Sequence, residues 1–124
     1  MTRANLNFVY QKSGEAPRTL FHYQNGDQYP TGLKDIYNVI DFINSDWTPE
    51  AFKEWIRSNY NVEVNDLGIG GQPKIYYTDG FITDYSYVFD ANHGEGRILV
   101  YNWAKNIFEG NKKEFVKWLN KQED

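Results

Sequence analysis

The sequence predicts an α+β fold: an antiparallel sheet of about six strands, arranged as a meander, with three helices packed mainly on one face. Three observations support this prediction. Short runs alternate apolar and polar residues, which is the period of a half-buried strand. Other segments carry apolar residues at helical spacing. Aromatic residues make up 18% of the chain, with 8 Phe, 10 Tyr and 4 Trp, and such large side chains can build the core between the two layers.

The N-terminal half begins with a predicted hairpin. Apolar and polar residues alternate over residues 4–10, as in a strand, and residues 18–23 are predicted to form a second strand. The link between them contains Gly and Pro, which favour a turn. Two helices are predicted next. The first covers residues 33–44, where apolar residues recur at i, i+3, i+4 and i+7. The second begins at Thr48-Pro49-Glu50, which places a capping hydroxyl, a proline and an acid in the order that a helix start favours.

The C-terminal half is predicted to be mostly strands. Residues 61–72 contain three glycines and indicate a long connection. The strands predicted after it cover residues 74–77, 85–89, 97–101 and 106–108. The last two links between them are short enough for hairpins. A third helix closes the chain, with Asn111 as its N-cap and Glu114 placed to complete a capping box.

Composition excludes several classes of function. A chain of 124 residues has the length of one domain, so we expect residues 1–124 to form a single unit. It has no cysteine and only two histidines, His22 and His93, so we expect no metal and no cofactor. The net charge of −4 disfavours duplex nucleic acid and anionic membranes. The start of the chain lacks an apolar signal segment and no run spans a membrane, so we expect a cytoplasmic location.

The segment from residue 22 to residue 32 is the strongest candidate site. It brings an imidazole, a carboxylate and two phenols, from His22, Tyr23, Asp27 and Tyr29, onto a loop held at both ends by regular structure. A structural interpretation is also open. In this interpretation the Asn-Gly-Asp sequence only forms a turn, and His22 lies in the sheet with its hydrogen bonds satisfied. Tyr29 then packs over the start of the following helix.

The chain resembles a family of small phage, prophage and bacterial proteins. The residues that carry the resemblance are Met1-Thr2-Arg3-Ala4, His22, Asp27, Tyr29-Pro30, Gly32, Tyr85-Ser86-Tyr87 and Phe108-Glu109-Gly110. The family has a compact His-Trp-Asp-Gly-Tyr-Pro segment, whereas here four residues separate His22 from Asp27 and Gln28 replaces its glycine. The family carries no assigned reaction, so the resemblance implies a phage or mobile-element origin and no catalytic role.

The leading hypothesis is a non-enzymatic binding protein that captures a host partner, as a counter-defence inhibitor does. In one version, acidic loops around Asp79, Asp84 and Asp90, with an exposed aromatic such as Phe81, occupy a basic site on a host protein.

A second version of this hypothesis has a different target. A pocket between two subunits of a homodimer traps a nucleotide-like small molecule by stacking, and Arg57 or Arg97 contacts its phosphates. The two versions differ in a thermal-shift test, because a nucleotide that binds the folded chain would raise its thermal stability. The absence of a shift with any nucleotide would favour the protein partner.

The alternative from another class is a small hydrolase. His22 with Asp27 could serve as an acid–base pair, as could His93 with Asp90. The chain has no nucleophile elbow, no HExxH motif and no P-loop, since the glycines near residue 70 lack a following Lys-Ser/Thr. This alternative therefore rests on the histidines alone.

Overall fold

The computed structural model describes residues 2–75, 77–78, 81–92 and 94–123. Within these ranges the chain is an α+β fold with a six-stranded sheet, a separate two-stranded ribbon and four helices. The main sheet contains β1 (Arg3–Tyr10), β2 (Arg18–Asn25), β3 (Asn65–Ile69), β6 (Tyr85–Asp90), β7 (Arg97–Asn102) and β8 (Lys105–Gly110) in the order β3-β2-β1-β6-β7-β8. The ribbon pairs β4 (Tyr77–Thr78) with β5 (Phe81–Ile82), and the helices are α1 (Pro30–Asp35), α2 (Val39–Ile43), α3 (Pro49–Tyr60) and α4 (Lys112–Asn120).

The sheet is mixed, so the predicted antiparallel meander is wrong. β1 and β6 are parallel neighbours, with Ala4 opposite Tyr85 and Phe8 opposite Phe89, whereas the other pairs in this sheet are antiparallel. The hairpins β1–β2, β6–β7 and β7–β8 agree with the prediction. Parallel neighbours need a long crossover, and β2, the helices α1 to α3 and the strands β3 to β5 lie in the chain between β1 and β6. The sequence pattern within each strand does not reveal this pairing of residues about eighty positions apart.

The helix count is also corrected, because the single helix predicted over residues 33–44 is divided into α1 and α2. Asn38 has a φ of 55°, a left-handed conformation that cannot continue an α-helix. The indole N–H of Trp55 donates to the carbonyl of Tyr37 at 2.6 Å. In a continuous helix that carbonyl would accept from the N–H of Asp41, which bonds the carbonyl of Asn38 instead. A tertiary contact thus takes part in the break.

The connection predicted over residues 61–72 contains strand β3, which the sequence did not indicate. β3 is an edge strand, and its residues are exposed or half-buried throughout. Without a buried face it lacks the apolar alternation by which a strand is predicted. The strand expected at residues 74–77 is replaced by the ribbon strand β4.

The helices pack on one face of the main sheet, as predicted, and aromatic rings fill the space between the layers. Phe42 of α2 lies near the centre of this core. Its ring centroid is 5.9 Å from Phe8, 5.5 Å from Trp47, 5.5 Å from Phe52, 5.2 Å from Trp55 and 5.2 Å from Phe89. Such edge and stacked contacts add about 0.5–1.5 kcal/mol each beyond the area that the rings bury.

Both predicted helix caps are confirmed. At the start of α3 the Thr48 hydroxyl accepts from the N–H of Ala51 at 3.1 Å. At the start of α4 the Asn111 side chain accepts from the N–H of Glu114 at 2.8 Å, and Glu114 accepts from the N–H of Asn111 at 3.0 Å. These reciprocal bonds form the capping box that the sequence predicted.

Residues 71–75, which follow β3, contact the second face of the sheet. The Asn7 side chain bonds both the N–H and the carbonyl of Lys74 at 2.9 Å, and the Thr19 hydroxyl donates to the carbonyl of Gly71 at 2.8 Å. The Lys74 ammonium lies 5.7 Å from the ring centroid of Phe21. Because Asn7 and Thr19 are fully buried, these bonds are needed to satisfy polar groups inside the protein.

Candidate functional site

A cleft opens at the end of the sheet where β1 and β6 begin and β7 ends. Its volume is about 210 Å³. It is lined by Thr2, Tyr29, Asp84, Tyr85, Asn102 and Trp103, and we call it the aromatic–acidic cleft. The parallel pairing of β1 with β6 creates this site, because it brings the starts of both strands to the same edge. Of the residues predicted from the sequence, Tyr29 and Asp84 meet here.

Two aromatic side chains of the cleft are exposed to solvent. Tyr29 is 47% exposed and Trp103 is 57% exposed. Among the side chains that the structure describes, no other aromatic one is exposed to this degree. Most of the rings whose side chains are described are buried or pack against the core, so two exposed rings at one cleft make it a candidate contact surface.

Trp103 lies in a two-residue turn. Trp103 and Ala104 join β7 to β8, and both have left-handed backbones, with φ of 50° and 65°. Neither is a glycine, so each conformation costs about 1–2 kcal/mol. The Trp103 N–H donates to the carbonyl of Asp84 at 2.9 Å, which ties the turn to the cleft. Two-residue hairpin turns of type I′ require a positive φ at both central residues, so the strain follows from the tight connection between β7 and β8.

Asp84 is fixed through its own backbone and side chain. Its N–H donates to the carbonyl of Arg3 at 3.0 Å, and its Oδ2 accepts from the Arg3 N–H at 2.9 Å. The carboxylate is half-buried. A carboxylate at the rim of a cleft, anchored to β1, is placed to meet a positively charged group.

The phenol rings of Tyr29 and Tyr85 are neighbours in the lining of the cleft. Their centroids lie 6.2 Å apart and their planes meet at 66°. Burial raises the pKa of Tyr85, and a hydrogen bond with the Asn102 side chain opposes this rise. Tyr85 is therefore protonated at neutral pH and is a hydrogen-bonding phenol rather than a phenolate.

His22 and Tyr23 lie outside this cleft and on opposite faces of β2. His22 is 8% exposed, its Nε2 lies 2.7 Å from Oε1 of Gln24, and its ring packs against Tyr60 at 5.2 Å. Burial lowers the pKa of His22, so the imidazole is neutral near pH 7. Tyr23 is half-buried and lies opposite Asn5 on the other face. These contacts favour the structural interpretation of His22.

The loop after His22 is organised by Gln28, which the sequence analysis did not single out. The hydroxyl of Tyr60 donates to Oε1 of Gln28 at 3.1 Å, and the hydroxyl of Tyr87 donates to its carbonyl at 2.8 Å. Gln28 itself donates to the carbonyl of Gly26 at 2.9 Å. Asp27 is exposed beside it, with a φ of 57°. The buried hydrogen bonds of Gln28 make the loop rigid directly before Tyr29.

The two arginines proposed for phosphate binding are engaged by the protein's own carboxylates. Arg57 donates to Glu54 at 2.9 Å and to Glu63 at 2.9 Å. Arg97 forms an ion pair with Glu109. These carboxylates occupy part of each guanidinium and offset its charge, which weakens both arginines as sites for a phosphate group.

The predicted acidic group is not gathered in one place. Asp84 precedes β6 and Asp90 ends it, which separates them by about 20 Å of extended chain. Asp79 and His93 lie outside the described residues. Phe81 begins β5, and its side chain is not among those described.

Trp103 is the main residue that sequence reasoning missed. It was included only as part of a hairpin link. A tryptophan in a short turn has few neighbours to bury against, so its position could have indicated an exposed ring.

Comparison with known proteins gave no match: no family model, no curated protein and no solved structure is significantly similar to the chain. In the described part of the chain, no three His, Asp or Glu side chains are grouped closely enough to hold a metal ion. No helix there has both the length and the apolar character needed to cross a bilayer.

Proposed function

We propose that this protein is a non-enzymatic binding protein that captures a partner protein stoichiometrically through the aromatic–acidic cleft. The observation that carries the proposal is the exposure of Tyr29 and Trp103 at the same cleft, beside the carboxylate of Asp84. Tryptophan and tyrosine are enriched among the residues that contribute most to protein–protein binding. Their rings bury much area on contact and lose little side-chain entropy.

The charge of the molecule favours a basic partner. The chain carries a net charge of −4, and Asp84 places a negative group at the cleft itself. Complementary charge increases the rate of encounter and excludes partners of the same sign. A basic protein surface therefore fits this site better than a phosphate-bearing ligand. The ion pairs of Arg57 and Arg97 count against capture of a nucleotide-like molecule.

We further propose that the partner is a host protein and that capture inhibits it in the host cytoplasm. The support for this step is the resemblance to small phage and prophage proteins. Phage-encoded domains of this size commonly act by blocking a host factor.

The proposal is tested by affinity capture from a bacterial lysate with matched variants. The immobilised chain is compared with the Tyr29→Ala/Trp103→Ala double variant and with Ile69→Ala. Ile69 is 58% exposed on the edge strand β3, so it controls for loss of exposed apolar surface elsewhere. We expect one protein to be retained by the wild type and the control and lost by the double variant. Calorimetry with that protein should give about one partner per chain.

Two results would contradict the proposal. One is capture by the double variant at the wild-type level, which would place the binding surface elsewhere. The other is catalytic turnover of a small compound that survives in the double variant, which would return the protein to the enzyme class.

A further inference from the structure

We propose that the aromatic–acidic cleft is a receptor for one organic cation, the ammonium or guanidinium group of a Lys or Arg side chain. This inference rests on the proposed function and names the group through which the partner is recognised. Cations bind over the faces of aromatic rings because the ring quadrupole is negative there. A carboxylate nearby adds charge attraction and accepts the N–H groups.

Three aromatic residues line the cleft. Tyr29 and Tyr85 meet at 66°, so their planes form a corner rather than one flat surface. Trp103 belongs to the same lining and is the strongest cation-binding ring type of the three. A volume of about 210 Å³ admits the end of one side chain and is too small for a folded element.

The carboxylate of Asp84 has capacity for the cation. A carboxylate accepts up to about four hydrogen bonds. The Arg3 N–H occupies one position on Oδ2. An ammonium or guanidinium in the cleft can therefore donate to Asp84 without displacing the bond that anchors it.

A second cleft of this protein shows the same chemistry with the cation already present. At the other end of the sheet, Asp46 and Glu95 line a cleft with Trp47. The chain's own Lys112 fills the role of the cation there, with its ammonium 4.7 Å from the Trp47 ring centroid. In contrast, none of the six described residues that line the aromatic–acidic cleft is cationic. A Lys or Arg side chain of the partner would supply the cation here.

The inference is tested with small probes on the isolated chain. Ethylguanidinium presents the guanidinium group with its N–H donors, and choline presents a quaternary ammonium charge without N–H groups. The neutral analogue of choline, with nearly the same shape, is 3,3-dimethylbutan-1-ol. Binding is followed by the NMR shift of the Trp103 indole N–H in ¹⁵N-labelled protein, assigned by its loss in Trp103→Phe. Sodium chloride at equal ionic strength corrects for salt. We expect both cations to shift this signal, and the neutral alcohol to bind about 2- to 30-fold more weakly.

Asp84→Asn is the matched variant, because asparagine retains an oxygen for the Arg3 N–H and removes the charge. We expect it to weaken the binding of ethylguanidinium, whose N–H groups can donate to the carboxylate, by about 3- to 10-fold, while Ile69→Ala leaves binding unchanged. Equal binding of choline and its neutral analogue, or no shift with either cation, would overturn the inference. Partner capture that depends on Tyr29 and Trp103 would then still support the proposed function. Conversely, cation binding without partner capture supports the receptor and refutes that function.

Discussion

Gly32 in α1 is required by a backbone contact rather than by its conformation. A Cβ built at Gly32 would lie 2.1 Å from the carbonyl oxygen of Asp27. That oxygen belongs to the rigid loop that carries Gln28, so it cannot move without breaking buried hydrogen bonds. The exposed loop before Tyr29 is thus fixed by packing beneath it.

We predict that Gly32→Ala lowers the free energy of unfolding by roughly 3 kcal/mol, because overpacking against backbone is relieved only by displacement of the loop. Urea denaturation measures the change. Gly14→Ala is the control: Gly14 has a φ of 80° and no neighbouring atom near a Cβ, so only the left-handed strain of about 1 kcal/mol applies. Equal losses in the two variants would show that the Asp27 contact is unimportant.

His22 predicts a pH dependence of stability. Burial lowers its pKa below the ordinary value of 6.5, so the unfolded chain binds this proton more readily than the folded chain. The difference between the two pKa values does not affect the free energy of unfolding above pH 6.5, where His22 is neutral in both states. As the pH falls below 6.5, protonation of His22 in the unfolded chain lowers this free energy. For one proton, the free energy of unfolding cannot change by more than about 1.4 kcal/mol per pH unit.

The measurement compares wild type with His22→Gln by urea denaturation at about pH 7.5 and about pH 5.5, on either side of the ordinary histidine pKa. We expect the wild type to lose more stability than the variant between the two values. All other titratable groups are common to the two proteins, so their contributions cancel in the difference. Equal losses would mean that the His22 pKa is the same in the folded and unfolded states.

At the scale of elements, the break between α1 and α2 predicts that glycine is more stable than alanine at position 38. Helix propensity alone predicts the reverse order. Asn38 is left-handed, with a φ of 55°, and its side chain donates to Asn59 at 2.9 Å. Asn38→Ala and Asn38→Gly both remove that hydrogen bond. We expect Asn38→Gly to be the more stable of the two by about 1 kcal/mol, because glycine adopts this conformation without strain.

Thermal or urea denaturation of the two Asn38 variants gives the ranking. In a continuous helix over residues 33–44, alanine would be favoured over glycine by about 1 kcal/mol. If Asn38→Ala were the more stable variant, the result would contradict the break at Asn38 and support the continuous helix that the sequence pattern predicts.

The features predicted correctly from the sequence are those that a few neighbouring residues determine. The hydroxyl cap of Thr48 and the Asn111–Glu114 capping box act within one helical turn, and alternation shows which residues of β1 face the helices. The break at Asn38 was missed because it is accompanied by a bond from Trp55, which lies seventeen positions further along the chain.

The candidate site was predicted only in part, because its residues come from distant parts of the chain. Tyr29 and Asp84 were named from their loops, but nothing local shows that these loops meet. Their meeting depends on the parallel pairing of β1 with β6, which also brings the β7–β8 turn and Trp103 to the same edge. The site is thus a consequence of the topology of the whole molecule.

The parallel pairing itself can be tested by cross-linking, since the chain has no cysteine of its own. In the parallel register Val9 lies opposite Asp90, on the face away from the helices. Val9→Cys/Asp90→Cys should therefore form a disulfide on mild oxidation, because facing residues in neighbouring strands lie within disulfide reach.

Arg3→Cys/Asp90→Cys is the matched pair. Arg3 lies about 20 Å from Val9 along β1, so this pair should stay reduced in the parallel sheet. In an antiparallel arrangement of the same strands, the start of β1 would approach the end of β6, and Arg3→Cys/Asp90→Cys would be the pair to form. Mass spectrometry of the non-reduced proteins separates the two outcomes. Preferential oxidation of the Arg3 pair would refute the parallel topology, and with it the shared edge on which the aromatic–acidic cleft depends.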